Sequence, residues 1–545
     1  MINSKRYLLR IVIPAFPSFN IYSRVARQTT ALGPICVATS ASKLERWDVE
    51  VVDENNCSSR FCPRDALGRP DHIRLQQERP ADVAGFYGSL TSTIPRLYEL
   101  AGLYKRLGAM TVAGGKHVEN LPAEALTSDI DVVVFGDGEV TIRELLQAWQ
   151  HGTALEEVAG IAFKLEGRVL RSDSRPNITD FELQPFPDFN LLRYARLKIY
   201  PIGSVRGCDM NCEFCAVKDK TRCASPERMV AQIAHLVETR QARKFFDVSD
   251  HFISDRQQAM KFCRQLSDYR KSKSVRFGIT VQTRLSDARY PALLEAMRAA
   301  GIYNVCIGYE SPLDEELKTM RKGYRAQDML QWTRVYHRHG FFIHGMFIFG
   351  YPQRRGHRTN MPLREQARRF RTFIRRARID TAQVLLAVPL PGTELRNRLD
   401  SEGRLYPIDQ IGWEYYDGQF PLFEPDDGVP PEEVQRTARG IMSRFYHFRH
   451  FLRMVIHILV TFPLLVFPSV FTIVTFQVRH IRDAFLAWKR KFFRNSLVRF
   501  GGYLVIKNWL RKFRSSNFLD KLKSARHRVR RRRTRAGNTS VEAGP

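Results

Sequence analysis

Apolar and polar residues follow two periods along the first third of the chain. Short apolar runs at 8–14, 49–52, 83–87, 111–114 and 132–135 are bounded by glycine and polar residues. Between them, 94–107 and 140–149 repeat their apolar residues at helical spacing. Apolar strands joined by amphipathic helices predict an α/β unit over 1–180, a doubly wound parallel sheet of flavodoxin-like type. A Pro- and acid-rich stretch at 181–194 reads as a linker. The pattern then resumes as six strand–helix units, with strands at 199–205, 244–248, 275–282, 303–309, 341–349 and 382–387 and helices such as 290–300. Six parallel units over 195–430 predict a partial (β/α)6 barrel. Sheets and barrels of these kinds present their chemistry beyond the carboxyl ends of the strands.

From residue 431 the pattern changes. An extension over 431–478 ends in the uncharged apolar run 454–478, long enough to cross a bilayer and bracketed by Arg453 and Arg479. Pro463 and Pro468 argue against one straight helix there. The net charge of +30 is concentrated beyond it: 479–535 holds twenty Lys and Arg against Asp483 and Asp520. The charge therefore belongs to the basic tail 479–545, whose Arg run at 526–535 is expected to be disordered. Aromatic residues, among them Trp509 and Phe513, interleave with these cations. Three readings stay open for this helical, apolar and basic end: contact with an anionic membrane surface, a helical hairpin capping the barrel, and nucleic-acid binding. The last is disfavoured, since no folded RNA-binding module is recognisable.

The nine cysteines are an odd, scattered set, which argues against a disulfide scaffold. The apolar run at 7–17 ends in proline and reads as a buried strand, not a secretory signal. The expected location is the cytoplasm, peripheral to or anchored at the membrane face through 454–535.

Cys208, Cys212 and Cys215 stand in the C-x3-C-x2-C stretch Arg-Gly-Cys-Asp-Met-Asn-Cys-Glu-Phe-Cys. A structural zinc site needs four closed ligands, usually in two pairs, and Cys223 is a poorly spaced fourth. Three thiolates on one loop suit three corners of a [4Fe–4S] cluster, with the fourth iron open to a ligand from outside the protein. Upstream, the strand ends carry Gly-Ser-Leu-Thr-Ser-Thr (88–93), Gly-Gly-Lys-His (114–117) and Gly-Asp-Gly-Glu (136–139).

The cysteine spacing resembles that of radical S-adenosylmethionine (SAM) enzymes. The resemblance implies that SAM chelates the open iron and is cleaved reductively to a 5′-deoxyadenosyl radical. It makes Cys208, Cys212 and Cys215 the metal ligands and catalytic centre, and sets Phe214 near the adenine. It assigns Asp250, Gln282 and Glu310 to SAM, with Gly345 and Gly350 allowing close backbone approach to the adenosine. The upstream GG-x-H and G-[ED]-G-E patterns resemble a cobalamin-binding domain, implying cobalamin contacts at Thr91, Gly114, Gly115, His117, Gly136 and Glu139. The D-x-H-x-x-G histidine of classical cobalamin methyltransferases is missing, because Asp71-His72 and Asp250-His251 have the wrong spacing. Either cobalamin binds without a protein histidine, or the fold persists without the cofactor. The stretch Trp-Glu-Tyr-Tyr-Asp-Gly (413–418) is similar to the C-terminal extension of hopanoid-modifying members.

The implied activity is methylation of an unactivated carbon on a small, lipophilic substrate such as a hopanoid, with an unidentified low-potential electron donor. Oxidation, cyclisation or rearrangement without methyl transfer is the alternative within the family, as in the anaerobic tetrapyrrole cyclase. A membrane-bound Fe–S or cobalamin sensor is the non-enzymatic alternative.

Overall fold

The computed structural model describes residues 6–354, 361–466, 479–513 and 516–539. Strand β1 (Tyr7–Ile13) is buried at six of its seven positions, as a strand covered by helices on both faces must be. Helix α1 (Leu32–Ala41), β2 (Trp47–Asp53), β3 (Val83–Tyr87), α2 (Ile94–Arg106), β4 (Met110–Gly114), β5 (Val132–Val134) and α3 (Gly138–His151) follow. The hairpin β6 (Ile161–Leu165) and β7 (Arg168–Arg171) and the short β8 (Leu192–Arg193) complete an eight-stranded sheet of order β7-β6-β5-β4-β3-β1-β2-β8. Strands β1 to β5 are parallel, and β1 pairs with both β2 and β3. The winding therefore reverses beside β1, and the crevice this creates opens at the carboxyl strand ends.

Two features of this unit escaped the sequence pattern. The antiparallel β6–β7 hairpin extends the sheet past β5. The stretch read as a linker, 181–194, is a folded part of the unit: β8 pairs with β2, and Phe181 and Phe189 are buried.

The second unit has six strands. They are β9 (Tyr200–Ile202), β10 (Lys244–Asp247), β11 (Gly278–Thr283), β12 (Ile302–Glu310), β13 (Phe342–Phe349) and β14 (Thr381–Leu386). They pair in sequential order and all in parallel, which makes the partial barrel. Helices α4 (Pro226–Arg240), α5 (Arg256–Ser272), α6 (Pro291–Ala299), α7 (Ala326–Arg338) and α8 (Leu363–Arg376) wrap the outside. Alternation along β11 sends Ile279, Val281 and Thr283 to the buried outer face and leaves Thr280 and Gln282 on the lumen side. On β13, Ile343, Phe347 and Phe349 face out while His344 and Met346 face the lumen.

Helix α9 (Pro431–Phe445) covers the free edge of β14. At its end the Tyr446 hydroxyl accepts from the Ala382 amide at 3.0 Å and donates to the Ala382 carbonyl at 2.8 Å. This satisfies an edge that would otherwise pair with another chain. Helices α10 (Arg449–Val466), α11 (Arg479–Phe513) and α12 (Phe518–Thr539) follow. The tail is thus folded well into the Arg run expected to be disordered. Phe518, Leu522, Ala525 and Val529 form a buried helical stripe, and Arg526 and Arg528 pair with Glu424 and Asp409. Trp509 and Phe513, read as interfacial aromatics, pack around Phe420 instead. Of the apolar run 454–478, residues 467–478 lie outside the described residues. No described helix is long and apolar enough to cross a membrane.

Candidate active site

The cysteine loop leaves β9 and is closed at its neck by a two-stranded pairing, Val205 opposite Cys223 and Arg206 opposite Arg222. Cys223 therefore belongs to the neck and not to the loop. Gly207 opens the loop at φ +85°, a conformation that favours glycine. A Cβ there would meet the Lys220 carbonyl oxygen and lie 2.7 Å from that of Asp219. Gly207→Ala is expected to cost about 1–3 kcal/mol and to force the neck apart. Thermal melts and iron content after reconstitution check this.

All three cysteines are free thiols; Cys212 is buried, and Cys208 and Cys215 are half-buried. Burial pushes the Cys212 and Cys215 thiols up. Arg284, at the end of β11, donates to Cys208 Sγ at 3.3 Å. Among the described residues, no three His, Cys, Asp or Glu side chains converge as a single metal ion requires. A cubane sets each thiolate on a different iron, so its three ligands stand further apart than those of a single ion.

Glu213, between Cys212 and Phe214, was missed from sequence. It is fully buried and accepts from Tyr351 Oη at 2.7 Å, Arg354 Nη2 at 2.8 Å and Arg398 Nε at 2.9 Å. Its carbonyl accepts from Leu395 N at 3.0 Å. One residue of the loop is thereby riveted to the segments after β13 and β14. Phe214 meets the Tyr351 ring edge-on.

The residues assigned to SAM divide into two groups. Asp250 Oδ2 accepts from Gly207 N at 3.1 Å, so it braces the cluster loop from the end of β10, and burial raises its carboxyl. Gln282 lies on the lumen side of β11. Glu310 ends β12 at φ +57° next to a bulge, which turns its carboxylate toward Lys322 Nζ at 3.0 Å. Burial alone would lower the Lys322 ammonium, but Tyr324 and Glu310 beside it raise it. Gly345 and Gly350 are placed otherwise. Gly345 shares the outer face of β13, where a Cβ would crowd Phe347 and Ile379. Gly350, at φ +70°, makes the turn after β13, and a Cβ there would lie 2.7 Å from Val434 of α9. Both glycines serve packing.

A cavity of about 450 Å³ lies where the carboxyl ends of the first sheet face the mouth of the barrel. Gly114, Gly115, Gly136 and Glu139 line it from one side; Gly207, Val217, Asp219 and Asp250 line it from the other. Arg206 crosses between the units to Asp137 at 2.9 Å and Glu139 at 2.5 Å; Arg222 also reaches Asp137, and Lys116 reaches Asp219 at 3.0 Å. The half-buried Cys36 thiol in this wall is pushed up to about 12 by desolvation. Thr91 and His117 do not line the cavity. His117 Nδ1 lies 3.2 Å from Thr91 Oγ1, and its ring stands edge-on against Trp413, whose indole N–H donates to Glu124 at 3.0 Å. The histidine of the GG-x-H pattern holds the C-terminal extension in place. No histidine is among the described residues lining the cavity.

A cavity walled on one side by glycine backbone, which a large planar ring can approach closely, fits cobalamin. The comparisons match both units. The B12 binding domain family matches residues 23–146, and the Radical SAM superfamily matches residues 202–357. The chain is a radical SAM enzyme and belongs with those that carry an N-terminal cobalamin-binding domain. Its cofactors are a [4Fe–4S] cluster, SAM and cobalamin. An uncharacterized methyltransferase of Pyrococcus horikoshii is 26% identical over 453 residues, covering 81% of this chain and 93% of that one. The hopanoid C-2 methylase of Rhodopseudomonas palustris is 27% identical over 238 residues, 42% of this chain and 43% of that one. The fold is shared with the radical SAM methyltransferase TsrM of Kitasatospora setae at TM-score 0.61 and 17% identity, covering 80% of this chain and 89% of that one.

Proposed function

We propose that this protein methylates an unactivated carbon of a small, lipophilic molecule. The observation that carries the reading is the shared cavity: the glycine loops of the first unit and the neck of the cluster loop form opposite walls of one space. When bound, the cluster would supply the electron that cleaves SAM, and cobalamin the methyl group. Cys208, Cys212 and Cys215 would hold the cluster; Asp250, Gln282 and Glu310 would hold SAM; Gly114, Gly115, Gly136 and Glu139 would face cobalamin. Arg206 locks the two units at the distance the cavity needs.

The lumen supports an uncharged substrate. Below Gln282 it presents Asn304, which donates to Thr280 Oγ1 at 3.2 Å, and His344, in contact with Thr381 and Gln383. Burial lowers the His344 pKa, so the imidazole stays neutral. The chemistry of the hopanoid methylase relative and the exposed apolar residues of α10, Leu452, Ile456 and Leu459, favour a lipid delivered from a membrane surface.

The test is anaerobic reconstitution with iron, sulfide and hydroxocobalamin, reduction, and addition of SAM with candidate polycyclic lipids. The expected products are 5′-deoxyadenosine, S-adenosylhomocysteine and a lipid heavier by CH2, with cobalamin retained through desalting. A product without CH2, or loss of cobalamin on desalting, would overturn methylation; absence of 5′-deoxyadenosine from a loaded cluster would overturn the enzyme.

A further inference from the structure

At the amino-terminal end of the barrel, opposite the cluster, lies an open basin of about 2110 Å³. Its walls are α7, α8, the segment leading into β14, and helices α9 to α11. Eleven arginines and three histidines line it, with Asp380 as the one acid and no lysine among the described residues. Asp380 is spent inside the fold. It is fully buried, and its oxygens accept from Ile343 N at 2.9 Å and Asn495 Nδ2 at 2.7 Å. Arg499 is spent too, on the carbonyls of Ile379 and Asp380. Arg371, Arg375, Arg444 and Arg453 have no acidic partner among the described residues.

This crowding is a cost to the folded chain. Desolvation and Arg444 lower the Arg371 pKa. Desolvation, with Arg499 and Arg453 adding to it, pushes His450 down to about 4. Like charges gathered around an open basin are relieved by an anion entering it. Arginine in place of lysine also favours phosphate, whose oxygens the planar guanidinium meets in pairs.

The rim decides which phosphate carrier fits. Helix α10 turns Arg449 and Arg453 into the basin. Its neighbouring stripe, Leu452, Ile456 and Leu459, is 48%, 59% and 65% exposed. Nucleic acid would satisfy the arginines and leave this aliphatic stripe in water. An anionic bilayer satisfies both, with headgroups in the basin and the stripe in the acyl boundary. We propose that the arginine basin is a binding site for the phosphates of anionic lipids, and that the apolar stripe of α10 seats it on the membrane. The assignment rests on the membrane-facing reading of the C-terminal helices given above.

The full chain is floated with vesicles of phosphatidylcholine alone and of phosphatidylcholine mixed with phosphatidylglycerol. Binding to the anionic vesicles is expected to exceed binding to the neutral ones and to fall with salt. Arg371→Gln/Arg375→Gln/Arg444→Gln is expected to weaken it on the order of a hundredfold. That variant should melt no lower than the parent, because it loses unpaired like charges only. Leu452→Ser/Ile456→Ser/Leu459→Ser should release the chain from both vesicle types. Inorganic phosphate at matched ionic strength should not displace the vesicles; displacement would make the basin a free-phosphate site and overturn the proposal. Undiminished anionic binding by the arginine variant would overturn the headgroup site while leaving membrane contact standing. No vesicle binding by the parent would overturn both. A single-stranded oligonucleotide that displaces the vesicles, and fails to bind the arginine variant, would reassign the basin to nucleic acid.

Discussion

Alanine at Cys208, Cys212 and Cys215 together is expected to leave a folded, cobalamin-retaining chain that makes no 5′-deoxyadenosine. The separation follows from where the thiols sit. None of the three lines the interdomain cavity, whose walls at the cluster loop are Gly207, Val217 and Asp219. The cavity is closed by Arg206, Arg222 and Lys116, which the substitution does not touch. The cysteines also carry little of the fold's stability. They form no disulfide, and two are only half-buried. Glu213 goes on riveting the loop to Arg398 and Tyr351. Iron and sulfide analysis after reconstitution should therefore fall to background while cobalamin absorbance after desalting stays at the parent level. Iron retained by the triple variant would move the cluster to other ligands. Cobalamin lost together with iron would mean that the two sites fold as one.

The strands were legible because period and burial coincide. Apolar runs such as Val83–Tyr87 and Phe342–Phe349 are covered on the faces the pattern predicts. The β6–β7 hairpin was missed although Glu166 and Gly167 both take positive φ there, and a glycine between two short β-rich runs is a turn signal. Direction was harder to read than position. The parity of β13 places Gly345 with Ile343 and Phe347, so its packing role was available from alternation alone. His117 follows two cavity-lining glycines in sequence, yet the short helix Lys116–Asn120 carries it back into the core. Only tertiary contacts reveal that. The same holds for Arg206, whose partners Asp137 and Glu139 lie some seventy residues away in the other unit. The tail aromatics misled for a related reason: Trp509 and Phe513 look interfacial in isolation, but a Phe420-centred cluster buries them.

Glu213→Ala is expected to be the most destabilising single substitution in the site, at about 3–5 kcal/mol, because it strands cations whose partner is gone. The carboxylate is fully buried and bridges Arg354 and Arg398, and the Arg398 side chain is itself only 13% exposed. Burial alone would raise the Glu213 pKa; the hydrogen bonds from Arg398, Tyr351 and Arg354 more than offset this and hold it below the usual range. The sign of the pH dependence follows. The folded-state pKa is depressed, so the clamp stabilises the protein above the unfolded-state value, near 4.3 for glutamate, and is lost as pH falls through the folded-state value. The parent should lose this increment on acidification, whereas Glu213→Ala, already without it, should show a flatter dependence in that window. Glu213 also lies between two cluster ligands, so iron content should drop although all three cysteines remain. Glu213→Leu combined with Arg398→Met should recover much of the stability, since replacing a buried pair with apolar groups is often neutral. Denaturant melts of the three forms decide the matter. An alanine variant within about 1 kcal/mol of the parent, the range of an exposed ion pair, would show that the clamp contributes little to holding the cluster loop.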